Sequence, residues 1–216
     1  MTATQVKICG LKTQTAIEAA LAGGADYVGL VFFPPSPRNI SLADARELAA
    51  MARGRAKIVA LLVDADDAWI DAVVAAADPD FLQLHGDEPV ARVREVRQRW
   101  ARGVIKAVKV KTGADVEAAE PYRGVADMLL FDARPPEGAD RPGGHGTPFD
   151  WNILSSAAHP FILSGGLTPE NVAEAIRATA ACAVDVSSGV ESSPGVKDPI
   201  RIGRFLRAAK GAKQGP

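Results

Sequence analysis

The stretch VKICGLKTQTAIEAALAGGADYVGLVFF, residues 6–33, joins two short apolar runs through an alanine-rich segment. The runs VKICG (6–10) and DYVGLVFF (26–33) have the length and the β-branched content of buried strands, and the segment near 13–23 is predicted to be a helix. A strand, a helix and a second strand in this order typically form a parallel pair with a crossover helix. This first unit indicates an α/β protein.

The same unit recurs along the rest of the chain. Further strands are predicted at AKIVALLV (56–63), FLQLHG (81–86), GVIKAVKV (103–110), DMLLFDA (127–133), PFILSGG (160–166) and CAVDVSSG (182–189), and further helices near 41–53, 65–77, 88–101, 113–119, 149–157, 169–180 and 198–210. Eight pairs in 216 residues favour a closed (β/α)8 TIM barrel. The alternative is a doubly wound open sheet, whose GxGxxG fingerprint is missing after the first strand.

Composition and charge narrow the class of protein further. With 47% hydrophobic residues and no break in composition, the chain is expected to form a single domain over residues 1–216. The net charge of −1 gives no indication of nucleic-acid binding. There is no apolar run of membrane-spanning length and no signal-peptide pattern at the N-terminus. We therefore expect a soluble cytoplasmic enzyme, and a monomer because no apolar surface stripe is evident.

Cysteines and histidines are too few and too scattered to indicate a metal site. The two cysteines, Cys9 and Cys182, form no CxxC pair, and the three histidines do not cluster. A disulfide between the cysteines is not expected, because Cys9 lies at the carboxyl end of its predicted strand and Cys182 at the amino end of a neighbouring strand.

Polar residues occupy several strand positions where a barrel interior should be apolar. Every second side chain of a strand points into the barrel, and barrel enzymes carry their active sites at the carboxyl ends of the strands. The residues are Lys7 and Cys9 on the first strand, Gln83 and His85 on the fourth, Asp132 on the sixth, and Asp185 and Ser187 on the eighth.

Each of these residues also has a purely structural interpretation. Cys9 alone is typical of a buried structural cysteine, Asp132 of a turn residue, and His85 of a half-buried histidine with its hydrogen bonds satisfied. Lys7 and Asp185 are predicted to pair inside the barrel, since the first and eighth strands become neighbours on closure. The convergence of a thiol, a carboxyl group, an amide and an imidazole on one rim nevertheless favours an active site.

Two glycine-rich loops predict a phosphate site. SGGL (164–167) follows the seventh strand, SSGVE (187–191) follows the eighth, and in barrels these two loops frequently bind phosphate through backbone N–H groups. A second anion contact is predicted in FFPPSPRNIS (32–41), a proline-stiffened loop whose only charge is Arg38. Its planar guanidinium suits a substrate carboxylate.

These motifs, in this order, resemble the phosphoribosylanthranilate isomerase family of tryptophan biosynthesis from end to end. The matching segments are KICG (7–10), YVGLVFFPPSPR (27–38), QLHG (83–86), LLFDA (129–133), GGHGTPFDW (143–151), LSGGLTPENV (163–172) and DVSSGVE (185–191). One position departs from the family pattern: His145 stands in the predicted lid 135–148, where a small polar residue is common.

The resemblance implies an Amadori rearrangement that needs neither a metal nor a cofactor. By position, it implies that Cys9 is the general base, that Asp132 is the general acid and that Arg38 holds the anthranilate carboxylate. The loops SGGL and SSGVE, with Gly165, Gly166, Ser188 and Gly189, are implied to hold the phosphate. Gln83 and His85 match the QLHG segment of the family, and they and Asp185 are expected to bind substrate as well.

Other functions stay open from the sequence alone. A metal-dependent sugar-phosphate epimerase would need His and Asp ligands on several strands, and the sequence lacks them. An indole-glycerol-phosphate synthase would need acid–base lysines at the rim; Lys106 and Lys109 are present, but no lysine takes the place of Asp132. A second aminoaldose, as in histidine biosynthesis, is not excluded, although that chemistry usually pairs two aspartates. A barrel that only senses a phosphometabolite is disfavoured because both Cys9 and Asp132 are present.

Overall fold

The computed structural model describes residues 4–133, 150–157, 159–179 and 181–212. Eight parallel strands pair in chain order and close into a barrel. They are β1 (Gln5–Cys9), β2 (Tyr27–Val31), β3 (Lys57–Leu62), β4 (Phe81–Leu84), β5 (Gly103–Val110), β6 (Met128–Ala133), β7 (Phe161–Leu163) and β8 (Ala183–Val186). The barrel closes where β1 pairs with β8, with Lys7 opposite Asp185. The predicted (β/α)8 barrel is confirmed, and the open sheet is excluded.

Helices follow most of the strands. They are α1 (Gln14–Ala22), α2 (Leu42–Ala52), α3 (Asp67–Ala77), α4 (Val90–Trp100), α5 (Gly113–Glu117), α6 (Val172–Thr179) and α7 (Pro199–Gly211). The predicted helix 113–119 is one short turn followed by a 3-10 helix at Glu120–Tyr122, because Pro121 cannot continue an α-helix.

The structure also corrects the α-helix predicted at 149–157. A 3-10 helix at Trp151–Ser156 takes its place. The carboxylate of Asp150 accepts hydrogen bonds from the backbone and the side-chain amide of Asn152, at 3.0 and 2.8 Å. Such local side-chain bonds compete with regular α-helix formation, so this short polar segment stays tighter and more irregular.

A small hairpin between β8 and α7 was not predicted. Strands β9 (Glu191–Ser193) and β10 (Val196–Lys197) pair antiparallel, and Gly195 turns between them at a φ of 79°. The strands are shorter than the runs from which buried strands are recognised. The hairpin carries Glu191 and Lys197, two charged residues whose side chains lie buried near the carboxyl end of β1.

The apolar core has one part between the strands and helices and a second part inside the barrel. The interior cluster comprises Tyr27, Val59, Ile105, Ala107, Leu130, Ile162 and Ala183. Towards the carboxyl ends of β1 to β3, Cys9 contacts Val31 and Leu61 in a smaller cluster. Apolar side chains therefore fill the barrel below a polar rim. None of the described helices is long and apolar enough to cross a membrane.

The predicted absence of a disulfide is confirmed. Cys9 is buried, Cys182 is half-buried, and both are free thiols. The predicted lid 135–148, with His145, lies outside the described residues. That residues 1–216 form a single domain stays a prediction, whereas all the described strands of the barrel belong to one closed sheet.

Candidate active site

The carboxyl ends of three strands bring a thiol, an imidazole and a carboxyl group to the barrel mouth. Cys9 is the last residue of β1, Asp132 is the last but one of β6, and His85 follows β4 directly. Cys9 and Asp132 are only 3% and 5% exposed. In such surroundings proton affinities depend on neighbouring charges and hydrogen bonds more than on water.

A hydrogen-bonded chain leads from Gln83 to Asp132. Gln83 Nε2 lies 2.9 Å from His85 Nδ1, and His85 Nε2 lies 3.1 Å from Asp132 Oδ2. In this orientation of the Gln83 amide, its nitrogen donates to Nδ1, and the Nε2–H of His85 donates to Asp132 Oδ2. Asp132 Oδ1 makes no hydrogen bond to another described residue. The carboxyl group is thus held at one oxygen and open at the other.

The Cys9 side chain fits beside Gly29, which has no side chain to crowd it. A Cβ added to Gly29 on β2 would lie 3.0 Å from Cys9 Sγ, so a larger residue there would crowd the sulfur. The hydroxyl of Ser187 donates to the Cys9 carbonyl oxygen at 3.2 Å and fixes the backbone. Burial raises the pKa of the Cys9 thiol, while the positive charges of Lys7 and Lys197 act in the opposite direction.

Lys7 and Asp185 form the predicted ion pair across the closing strands. Lys7 is fully buried, and its Nζ donates to Asp185 Oδ1 at 3.0 Å. The hydroxyl of Ser164 lies 3.5 Å from the other carboxylate oxygen. Burial disfavours the charge of Lys7, but Asp185 and Cys9 outweigh burial and raise the pKa of Lys7. The pairing is confirmed, and a contact between Asp185 and substrate stays a prediction.

Arg38 belongs to a second buried ion cluster. Its Nε and Nη2 donate to the two carboxylate oxygens of Glu191 at 2.7 and 2.8 Å, and Lys197 Nζ donates to Glu191 Oε1 at 2.7 Å. Burial alone would favour the neutral acid, but Arg38 and Lys197 lower the pKa of Glu191 to about 2. Three of the five guanidinium N–H donors remain without a partner among the described residues.

The loop after β7 has the backbone of an anion site. Gly165 and Gly166 have φ angles of 89° and 67°, which side chains other than glycine rarely adopt. A Cβ on Gly165 would lie 2.4 Å from the backbone nitrogen of Ala133, so the loop packs directly on the end of β6. The N–H groups of both glycines donate to no other described residue. They are therefore free to bind an oxyanion.

The loop after β8 packs against the loop after β7. A 3-10 helix at Ser188–Val190 follows Ser187, and a Cβ on Gly189 would lie 1.9 Å from the carbonyl oxygen of Leu167. Only glycine permits this approach between the two backbones. The two predicted phosphate loops are therefore neighbours, as a shared phosphate requires.

Two residues of the mouth were missed by sequence reasoning. Glu191 lies within SSGVE (187–191), where the two serines and Gly189 are the features that indicate an anion site, and Lys197 lies beyond every predicted strand. The turn residues Pro194 and Gly195 are the local signal for the hairpin that brings both charges back to the barrel.

Known proteins share both the sequence and this fold. A family model described as N-(5'-phosphoribosyl)anthranilate (PRA) isomerase matches residues 6–208. An N-(5'-phosphoribosyl)anthranilate isomerase of Nitrobacter hamburgensis is 56% identical over 210 residues, covering 96% of this chain and 93% of the relative.

Solved structures agree with the family match. The phosphoribosyl anthranilate isomerase of Thermotoga maritima is 39% identical with a TM-score of 0.87, over 96% of this chain and 99% of that one. A phosphoribosyl anthranilate isomerase in complex with reduced 1-(o-carboxyphenylamino)-1-deoxyribulose 5-phosphate is 36% identical with a TM-score of 0.84, over the same shares.

Proposed function

Because the chain belongs to the N-(5'-phosphoribosyl)anthranilate isomerase family, we propose that it performs this isomerisation by general acid/base catalysis without a cofactor. The substrate is N-(5-phosphoribosyl)anthranilate, and the product is 1-(2-carboxyphenylamino)-1-deoxyribulose 5-phosphate, an intermediate of tryptophan biosynthesis. The observation that carries the mechanism is the pair of buried proton-transfer groups, Cys9 and Asp132, at one barrel mouth.

The two charged ends of the substrate match the two anion-binding features of the mouth. The phosphate binds the free N–H groups of Gly165 and Gly166 together with the adjoining loop of Ser188 and Gly189. The anthranilate carboxylate binds the guanidinium donors of Arg38 that Glu191 leaves free. Anchoring at both ends holds the sugar between the acid and the base.

Asp132 acts as the general acid in the first step. Its carboxyl group gives a proton to the furanose ring oxygen as the bond between that oxygen and C1 breaks, while the nitrogen lone pair forms a C=N bond. The resulting carboxylate accepts the Nε2–H of His85, so the hydrogen bond at 3.1 Å stabilises the charge that develops on Asp132. His85 thereby acts through Asp132.

Cys9 acts as the general base in the second step. Its thiolate removes the proton from C2, and the electrons of that C–H bond form a C1=C2 bond while the iminium nitrogen regains its lone pair. The enolamine then becomes the ketone: C1 takes up a proton from solvent while the C2 hydroxyl releases its own. The Cys9 thiol gives up the C2 proton and the Asp132 carboxylate regains one, so both residues return to their starting states. The protonated Schiff base is the electron sink, so the chemistry itself requires no external cofactor.

Single substitutions of the two proton-transfer residues test this function. Cys9→Ala and Asp132→Asn are each expected to reduce kcat about 10²–10⁴-fold, the usual contribution of a positioned acid or base, while binding of a reduced product analogue persists. The measurement is the loss of phosphoribosylanthranilate fluorescence. Cys182→Ala, which removes the other thiol, is the matched control and should turn over normally. Normal turnover by Cys9→Ala would refute the base, and retained activity in Asp132→Asn would assign the acid elsewhere.

A further inference from the structure

Buried charges around Cys9 do not balance one another. Three cations and two carboxylates lie near it, each with a side chain no more than 6% exposed. They are Lys7, Arg38 and Lys197 on the positive side, and Asp185 and Glu191 on the negative side. A buried excess of one positive charge is costly unless an anion compensates it. The Cys9 thiol, once ionised, supplies such an anion beside Lys7 and Lys197.

Two of the cations already have a carboxylate of their own. Lys7, two residues before Cys9 on the same face of β1, is paired with Asp185. Arg38 packs beside the residue after Cys9, because a Cβ on Gly10 would lie 2.8 Å from its Cδ, and it occupies both oxygens of Glu191. The excess positive charge therefore belongs to neither Lys7 nor Arg38, because each is paired with a carboxylate.

Lys197 is the cation without a carboxylate of its own. It shares one oxygen of Glu191 with Arg38, and its Nζ also donates to the backbone oxygen and the hydroxyl of Ser187 at 2.9 and 3.0 Å. That hydroxyl in turn donates to the Cys9 carbonyl at 3.2 Å. Val31 and Leu61 pack against Cys9 on its apolar side, and Lys7, already paired with Asp185, also hydrogen-bonds to its thiol. Lys197 is thus linked to the backbone of Cys9 through one serine.

We propose that Lys197 is a positioning residue that favours the thiolate form of Cys9. The proposal rests on the proposed role of Cys9 as base. With Cys9 ionised, the buried group contains three positive and three negative charges and is neutral. Burial lowers the pKa of Lys197, and both Glu191 and a Cys9 thiolate oppose that effect. The lysine and the thiolate therefore stabilise each other's charged forms.

The decisive measurement is the ionisation midpoint of Cys9 in the free enzyme. Thiolate ultraviolet absorbance is titrated in the parent and in Lys197→Met, and the matching Cys9→Ser protein is subtracted from each so that Cys182 and the tyrosines cancel. Removing one nearby opposite charge is expected to raise the midpoint by about one pH unit or more. The thiolate fraction below both midpoints then falls about tenfold.

Conservative variants separate charge from packing. Lys197→Arg keeps the charge and should keep the midpoint near that of the parent, whereas Lys197→Gln keeps polar contacts to Ser187 but should shift it as Lys197→Met does. Lys57→Met is the matched control, since Lys57 pairs with Asp80 at the exposed amino end of β3. It changes the net charge equally and should leave the midpoint unchanged. Folding of each variant is checked by circular dichroism.

The outcomes distinguish this proposal from the proposed function. The lower limb of the kcat/KM profile should move to higher pH in Lys197→Met together with the Cys9 midpoint. An unchanged midpoint in both Lys197→Met and Lys197→Gln, or an equal shift in Lys57→Met, would overturn the role of Lys197. Neither result bears on Cys9 as base, because that assignment is tested separately by the turnover of Cys9→Ala.

Discussion

Glu191 shows how the environment of one residue reverses what burial alone would do. Its side chain is 4% exposed, yet it contacts two cations, Arg38 and Lys197, and stays ionised far into the acid range. Its pKa is lowered from 4.5 to about 2. A carboxyl group whose pKa is lower in the folded state stabilises the fold above its unfolded pKa and loses that contribution as pH falls.

A pH series of Glu191→Gln tests this linkage. The lowered pKa corresponds to about 3 kcal/mol of stability at pH 7. Glu191→Gln should therefore lose about that much relative to the parent at pH 7, and the difference should shrink as pH falls from about 4.5 towards 2. Urea unfolding at each pH gives the free energies. Glu18→Gln, at an exposed pair with Arg55, should stay near the parent throughout. A difference that does not change with pH would contradict the expectation.

At the scale of elements, contacts within and around the loop between β2 and α2 hold the guanidinium of Arg38 in one position. The Ser36 hydroxyl accepts the Arg38 backbone N–H at 3.1 Å, and Lys12 Nζ donates to the Pro37 carbonyl at 2.9 Å. The left-handed Gly10 gives Arg38 room to pack, and Glu191 fixes its plane. The loop is therefore preorganised before any substrate arrives.

Arg38 variants test what this loop contributes to binding. Arg38→Ala should raise KM about 10–100-fold, the value of charge-assisted hydrogen bonds to one carboxylate, with a smaller effect on kcat. Arg38→Lys should recover little, since a lysine keeps the charge but lacks the planar donors that contact Glu191 and, in the proposed complex, the substrate carboxylate. Steady-state kinetics measures both. Arg53→Ala, at an exposed pair beyond α2, is the control. An unchanged KM in Arg38→Ala would show that Arg38 does not bind the substrate carboxylate.

Strands were predicted better than the connections between them. All eight barrel strands lie within the predicted runs to within a residue or a few, because a buried parallel strand is a continuous apolar run. Two connections were predicted wrongly: the α-helix expected at 149–157 is a 3-10 helix, and the hairpin of β9 and β10 was not predicted. Short polar segments lack an apolar period, so their conformation is decided by side-chain hydrogen bonds and by packing on the finished barrel.

For the whole molecule, the seam between β1 and β8 converts a strip of strands into a closed barrel. Its register places Lys7 opposite Asp185, so a buried ion pair lies across the closure. An ion pair of this kind costs desolvation that its attraction only partly returns, but breaking one side leaves an unpaired buried charge. The pair therefore favours this register over its neighbours more than it adds stability.

A double-mutant cycle at the seam tests that balance. Lys7→Met should lose about 3–5 kcal/mol of unfolding free energy, and Asp185→Leu a comparable amount. The double variant should be more stable than either single variant, because it leaves no unpaired charge in the barrel. Urea unfolding of the four proteins gives the coupling energy. Losses that simply add in the double variant would show that the two side chains do not depend on each other.

The sequence by itself determined the architecture and the rim on which the candidate residues lie. Alternating strands and helices are local patterns, and strand direction places Cys9, His85 and Asp132 at the same end once the barrel closes. That the protein is a monomer and is located in the cytoplasm stays a prediction.

Only the tertiary structure decided which charges meet around Cys9. Arg38 and Glu191 are 153 residues apart, and Lys7 and Asp185 are 178 apart. No local pattern encodes such contacts, because they depend on the closure of β1 against β8 and on a hairpin too short to predict. The physical reason is that barrel closure brings distant side chains into one desolvated volume, where their charges must be balanced together.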